Sequence, residues 1–376
     1  AHLTKTLEAG KDLGEPSVVE AVAALVDPAC PDADKAAFLT ALAAKGETEK
    51  EIAWFARELK KRAVDPQIAP TQCGGVLMDV CGTGADRLHT FNISSTAMFI
   101  VAAAGVAVAK HGNRSITSQC GGADVLDQLG IAIDLSPEKT RKCVETTGIG
   151  FLFAPLYHPA FKAIAPVRKA LAEKGRRTIF NFLGPLLNPA AITHQIVGVS
   201  EPGLLDRYAR VLRRLGRAGA WVVHGYADDG CTRGMDELSV CGPSEVYELK
   251  GDPIRTSLLE PVDYGFARAS LTDLAGGNPA HNAQILEAIL SGKDTGPRRD
   301  AVLLNAGAAL YIAGKTASRK PDKIPLPAKK SAYRLAPEDP DRFEGALDLA
   351  AEMIRSGKAL AKLQQLRDFT KEHSKA

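Results

Sequence analysis

Apolar positions recur at a helical period through residues 1–70. Pro16-Ser17 can open a helix through Val18–Val26, and Ala33–Ala44 continues the period. Glu47–Ala63 sets Ile52, Phe55, Ala56 and Leu59 on one amphipathic face. Pro28, Pro31 and Gly46 punctuate these segments. The pattern predicts a small helical bundle whose exposed apolar residues pack internally or against a partner subunit. Asp65-Pro66 through Gly74-Gly75 is rich in Pro and Gly and reads as a linker.

Beyond the linker the pattern changes to short apolar runs of strand length. These are Val76–Val80, Val106–Ala109, Ile131–Leu135, Ile149–Phe153, Gln195–Val199 and Ala220–Gly225. Helical stretches lie between them: Ala97–Ala104, Gly121–Leu129, a helix opened by Ser136-Pro137, Phe161–Ala172 and Leu204–Leu215. Pro166 predicts a kink or break within Phe161–Ala172. Glu245–Lys250 reads as an edge hairpin strand. Helices are expected over 280–292, 299–314 and 341–369, with a Pro/Lys-rich loop at 316–340. Strands alternating with helices imply a mostly parallel sheet covered on both faces. The expected fold is α/β: a small helical N-terminal domain, 1–70, and a larger α/β domain, 71–376.

Composition narrows the function classes. At 376 residues the length suits about two or three domains, or one large α/β domain with an appendage. A net charge of only +3 argues against a nucleic-acid protein. The seven cysteines form no CxxC pair, which suits reduced thiols in the cytoplasm and no zinc site. No apolar run reaches membrane-span length, and no signal-peptide pattern opens the chain. The first strand is not followed by GxGxxG, which disfavours a dinucleotide site.

Candidate chemistry concentrates in Val76–Asp127. The first strand ends in Cys81-Gly82-Thr83-Gly84-Ala85-Asp86, where glycines allow a tight turn and close approach of N–H groups to an anion. Thr90-Phe91-Asn92-Ile93-Ser94-Ser95-Thr96 then opens an Ala-rich helix, whose N-terminus suits a phosphate. The second strand delivers Lys110-His111-Gly112-Asn113-Arg114. Each feature alone is commonly a turn, a cap or a solvated loop. All three within one strand–helix–strand unit point to a highly phosphorylated small molecule. Asp236-Glu237 follows a later strand at the same expected sheet end, and with Asp86 offers carboxylates for Mg²⁺ on a diphosphate. His111, His158 and His224 lie near strand ends, where a lone histidine is more often structural than catalytic.

These segments resemble the anthranilate phosphoribosyltransferase family of tryptophan biosynthesis. GTGAD (82–86), FNISST (91–96), KHGNRS (110–115) and GGADVLDQLG (121–130) carry the resemblance. It continues through HPA (158–160), APVRKAL (165–171), RTIFNFLGPLLNP (177–189), GMDELS (234–239), GGNPAHNAQILEAILSG (276–292) and GPRRDAVLLNAGAALYIAGK (296–315). The resemblance implies transfer of a 5-phosphoribosyl group from 5-phosphoribosyl 1-diphosphate to the amine of anthranilate, with release of diphosphate. It implies that Gly82, Thr83, Gly84, Asp86, Thr90, Asn92, Ser94, Ser95, Lys110 and Gly122 hold the phosphoribosyl diphosphate. Gly82, His111, Asn113, His158, Arg168 and Gly184 would lie along the anthranilate path. Lys110 and Arg168 would stabilise charge, with no covalent nucleophile. Ser94, Asp236 and Glu237 would bind Mg²⁺, as two ions with the diphosphate. The family's helical domain, joined by helices from about 158–192, implies a homodimer interface.

The sequence departs from the family's pattern on the diphosphate side. Ala85 replaces a glycine, and Ser95 a threonine. Gln119, Cys120 and Gly122 stand where Lys, Ser and Ser are common. Arg233 replaces an aspartate, after an extended loop containing Asp228, Asp229 and Cys231. Weaker phosphoribosyl diphosphate binding is the expectation. Two alternatives stand beside the transferase: an enzyme like pyrimidine nucleoside phosphorylase, and a non-catalytic paralogue binding nucleic acid or protein.

Overall fold

Strand polarity explains the architecture. β1 (Leu77–Gly82), β2 (Ala107–Gly112), β3 (Ile149–Phe153), β4 (His194–Gly198) and β5 (Gly219–Tyr226) run parallel, in spatial order β3-β2-β1-β4-β5. Their C-terminal ends therefore share one edge of the sheet. β7 (Ser244–Leu249) and β8 (Arg255–Leu259) extend it antiparallel, while β6 (Gly234–Met235) pairs with the end of β5. The computed structural model describes residues 2–115, 119–228, 230–317 and 337–374.

One face of the sheet is covered around α5 (Ile93–Ala103), which has no charged residue and is buried along most of its length. A helix apolar all round belongs in an interior. It packs against helices from the end of the chain: α12 (Pro279–Leu290), α13 (Pro297–Ile312), α14 (Pro340–Arg355) and α15 (Lys358–Ser374). α6 (Gly122–Gln128) and α7 (Pro137–Thr147) complete this half of the fold.

Beyond the opposite face lies the helical domain: α1 (His2–Glu8), α2 (Glu15–Val26), α3 (Asp32–Lys45) and α4 (Glu49–Lys61). Their apolar faces share a core with α9 (Ala165–Glu173), α10 (Phe180–Leu183), α11 (Leu205–Arg214) and the β4–β5 side chains Val197 and Val222. α8 (Ala154–Tyr157) is a single turn after β3. A Thr48–Glu51 capping box starts α4, a device worth about 1 kcal/mol. Two lysines tie the N-terminal helices to the 159–190 segment: Lys35 Nζ donates to the Ala163 carbonyl at 3.0 Å and Lys60 Nζ to that of Ala190 at 2.6 Å.

Several sequence expectations are corrected. Ile131–Leu135 is not a strand: Ile131, Ile133 and Leu135 are buried in the core, and the Ala132 N–H donates to Thr370 Oγ1 of α15 instead of a ladder. β7 is not an edge strand, because β8 lies outside it. The helix expected over 341–369 is two, divided at Gly357 with φ 74°. The break expected within Phe161–Ala172 falls at Ile164, where a 3-10 turn over Pro159–Ala163 ends and α9 begins with Pro166 in its first turn. Of the loop expected at 316–340, residues 318–336 lie outside the described residues.

Candidate functional site

The site is built where the chain leaving β6 passes over the ends of β4 and β1 at Asp236. Gly198 and Gly82 are paired neighbours at those ends. A Cβ on Gly198 would sit 1.6 Å from the Asp236 carbonyl oxygen, and one on Gly82 would sit 2.8 Å from it. Only glycines let the backbone of Asp236 pass this close. The crossing swings the Asp236 carboxylate over the glycine turn, where its Oδ2 accepts from Thr83 Oγ1 at 3.1 Å and from the Gly84 N–H at 2.5 Å.

Glu237 reaches the head of α5 instead, where its Oε1 accepts from the Ser94 N–H at 3.2 Å. Both carboxylates are buried. Burial lifts the Glu237 pKa to about 7, against the pull of Lys110 and Ser94. Burial, then the nearby Asp86 and Glu237 carboxylates, hold Asp236 well above the usual carboxylate range. Asp86 also makes a side-chain hydrogen bond to Asp236.

Side chains alternate across a strand, so the end of β2 presents two chemistries on opposite faces. Buried Lys110 turns toward α5, donating to the Val80 carbonyl and lying 3.4 Å from Ser94 Oγ. His111 turns the other way, its Nε2 3.2 Å from Nε2 of His158. From there an aromatic run continues: His158 stacks on Phe161 at 5.2 Å, Phe161 meets Phe180 edge-on at 5.7 Å, and the Arg168 guanidinium lies 4.9 Å over Phe180. Burial depresses the pKa of His111 to about 3 and of His158 to about 4, so both rings are neutral at pH 7. Burial also lowers Arg168 from its ordinary value. A Cβ on Gly184 would meet nothing within 4 Å, so its backbone borders open space.

Over residues 74–360 the sequence matches the glycosyl transferase family, a/b domain, and over residues 1–63 the glycosyl transferase family, helical bundle domain. An anthranilate phosphoribosyltransferase from Desulfosudis oleivorans is 46% identical over 340 residues, covering 90% of this chain and 89% of the relative. The crystal structure of anthranilate phosphoribosyltransferase from Thermus thermophilus superposes with a TM-score of 0.82 at 36% identity, over 98% of this chain and 99% of that one. The chain belongs to the anthranilate phosphoribosyltransferase family. The Saccharomyces cerevisiae member in complex with PRPP and Mg has a TM-score of 0.79 at 27% identity, over 99% of this chain and 97% of that one.

Within this family member, the residues singled out in the sequence gather at the one sheet edge. Gly82, Thr83, Gly84, Asp86, Ser94, Lys110, Asp236 and Glu237 are linked by the contacts above. Ser95 is buried beside Gly122, whose Cβ position lies 3.3 Å from Ser95 Oγ and 3.8 Å from Lys110 Cε. Asn92 precedes α5 without capping it; its Nδ2 donates to the Cys120 carbonyl at 3.2 Å. Thr90 is bridged to Ala275. Asn113 is exposed, its Oδ1 accepting from the Arg114 N–H, while Arg114 pairs with Asp124 and Asp127. His224 stays apart from this chemistry, its Nδ1 2.8 Å from the Val199 carbonyl. Asp229 lies outside the described residues.

Two supporting asparagines were missed. Asn282 Nδ2 donates to Asn92 Oδ1 at 2.9 Å, and its own Oδ1 accepts from the Gly277 N–H. Asn188 Nδ2 bridges buried Asp79 on β1, at 2.9 Å, and the Ala109 carbonyl on β2, at 2.8 Å. Both lie in segments that carry the family resemblance, GGNPAHN and LLNP, and that resemblance was the available signal.

Proposed function

We infer that the chain transfers the 5-phosphoribosyl group of 5-phosphoribosyl 1-diphosphate to the amine of anthranilate. The products are N-(5-phosphoribosyl)anthranilate and diphosphate, in tryptophan biosynthesis. The observation that carries this reading is the division at the end of β2. Lys110 faces the glycine turn and α5, and His111 faces an aromatic run ending in Arg168. One strand end thus separates an anion-handling side from an aromatic-acid side.

The nucleophile is the acceptor's own amine, so no enzyme nucleophile is required. The hard step is loss of diphosphate as positive charge develops at C1. Positioning and charge stabilisation supply the catalysis. Lys110, the α5 N-terminus with Ser94 and Ser95, and the 82–86 turn with Thr90, Asn92 and Gly122 hold the phosphoribosyl diphosphate. Arg168 pairs with the anthranilate carboxylate in a forked geometry. Neutral His111 and His158, with Asn113, Gly82 and Gly184, line the acceptor's path.

Asp236 and Glu237, two crowded buried carboxylates of raised pKa, suit a cation between them and an incoming diphosphate. Among the described residues no group of three or more His, Cys, Asp or Glu is placed to hold a metal alone. That fits Mg²⁺, which takes one or two carboxylates plus substrate phosphates and water. Asp236, Glu237 and the Ser94 hydroxyl would hold it, as two ions, and it would neutralise the departing diphosphate.

The domain boundary falls near residue 70. The helices of about 158–192 join the N-terminal bundle, as the Lys35 and Lys60 bonds support, and this face forms a homodimer interface. The seven free cysteines suit the cytoplasm. The test is anthranilate fluorescence, followed with phosphoribosyl diphosphate and with or without Mg²⁺. Mg²⁺-dependent loss requiring both substrates is expected. A folded protein that leaves the signal unchanged at high substrate would refute the assignment.

A further inference from the structure

A cavity of about 330 Å³ is lined by Asp86, Arg87, Ser200, Glu201, Arg233 and Gly234, among others. It borders the candidate site directly: Asp86 contacts Asp236, and Gly234 lies two residues before it. The two arginines are fixed in backbone. Arg87 adopts φ 56°, a left-handed conformation that non-glycine residues rarely take, and the Asp86 Oδ1–Leu88 N–H bond spans it. The Arg233 carbonyl accepts from the Ala227 N–H at 2.9 Å.

Of the two lining carboxylates, one has a cationic partner. Glu201 pairs with Arg177 at 2.5 Å, and Asp86 lies against Asp236, whose pKa its charge raises. Among the described residues, neither Arg87 nor Arg233, both exposed, has an ion-pair or hydrogen-bond partner for its guanidinium. Two uncommitted guanidiniums over one cavity match a phosphate-class anion, which the planar fork binds through paired N–H groups. Arg233 stands where the family's usual pattern has an aspartate, so this charge departs from that pattern.

We propose that this cavity is a second anion site that receives inorganic diphosphate after transfer, held between Arg87 and Arg233. This rests on the transferase reading above. Diphosphate here would leave the transfer site able to bind 5-phosphoribosyl 1-diphosphate, yet would block departure of the next diphosphate. Product inhibition should therefore be mixed, not purely competitive.

The experiment is initial-rate inhibition by diphosphate at fixed Mg²⁺, with 5-phosphoribosyl 1-diphosphate varied, in wild type and the R87S/R233D double variant. Mixed inhibition is expected in wild type. The double variant should keep the competitive part and lose the other by about tenfold, the scale of one or two charge-assisted hydrogen bonds. Its KM for 5-phosphoribosyl 1-diphosphate should stay within about twofold, because neither arginine is among the groups assigned to hold that substrate. Purely competitive inhibition in wild type, or mixed inhibition unchanged in the variant, overturns the proposal. Orthophosphate giving the same component at equal concentration overturns diphosphate as the occupant. Calorimetric titration of the folded proteins with diphosphate separates the two readings. A wild type without turnover that still binds two equivalents, falling to one in the variant, would refute the transferase and keep the cavity. One equivalent in both would refute the cavity.

Discussion

The Asp236 carbonyl lies so close over Gly198 that a Cβ there would sit 1.6 Å from it. The contact involves backbone on the Asp236 side, so no side-chain rotation relieves it. Gly198→Ala must therefore lift β6 away from the sheet edge. Overpacking commonly costs about 1–3 kcal/mol, and a backbone contact belongs at the upper end. The Asp236 and Glu237 carboxylates would move with the strand, and a shift of about 1 Å at a site can cost about 100-fold in rate. Thermal unfolding and kcat, measured together, check this. An alanine variant with wild-type turnover would show that the crossing does not position the carboxylates.

Glu237 sets a pH dependence whose sign is fixed by its environment. Its folded pKa of about 7 is raised above the ordinary 4.5. Its stabilising contribution is therefore fully present below about 4.5 and is lost as pH rises through about 7. The difference is on the order of 3 kcal/mol. His111 and His158 act in the opposite direction: depressed from 6.5 to about 3 and about 4, they contribute above 6.5 and lose this as pH falls toward those values. Glu237→Gln should flatten the fall in ligand-free stability between pH 5 and 8 and weaken Mg²⁺-dependent activity by about 100-fold. Melting curves across that range decide it; an unaltered slope would mean Glu237 does not titrate there.

Ile149–Phe153 was legible because a short apolar run, preceded by Gly148, had the sheet as its only burial site, and it is β3. Ile131–Leu135 alternates instead, and buries Ile131, Ile133 and Leu135 in the core without a ladder, because period two reports a buried face and not a ladder partner. Gly357 gives no clear stop in the sequence, since a lone glycine within a helical period is tolerated, yet its φ of 74° divides the two helices. β6 has only two residues, too few for any period, yet it places both carboxylates. The candidate site was legible residue by residue through motifs. Its supports were not: Asn92 and Asn282 meet across 190 positions, and nothing local in the sequence encodes that contact.

Gly122 marks a donor missing from the diphosphate side. Its Cβ position faces Ser95 Oγ at 3.3 Å and Lys110 Cε at 3.8 Å. A serine there would add a hydroxyl among the groups that hold phosphates, and the tight neighbour is a side-chain hydroxyl that can rotate. Gly122→Ser should lower the KM for 5-phosphoribosyl 1-diphosphate by about fivefold, the scale of one net hydrogen bond, with little change in the KM for anthranilate. Steady-state kinetics with each substrate varied would settle it. An unchanged or higher KM would mean that the glycine is not a lost donor.

Arg168 separates charge from shape on the acceptor side. Its guanidinium stacks 4.9 Å over Phe180, and burial lowers its pKa without ending its charge. Arg168→Lys keeps a cation but loses the planar fork and the stacking surface. If the fork holds the anthranilate carboxylate, the KM for anthranilate should rise by about tenfold or more, while that for 5-phosphoribosyl 1-diphosphate stays level. An acceptor lacking the carboxylate, aniline, should be used equally poorly by both proteins. If Arg168 were only a stacked structural residue, Lys would lower stability and affect both substrates alike. A lysine variant with unchanged anthranilate KM would remove Arg168 from the acceptor path and leave the carboxylate to another cation.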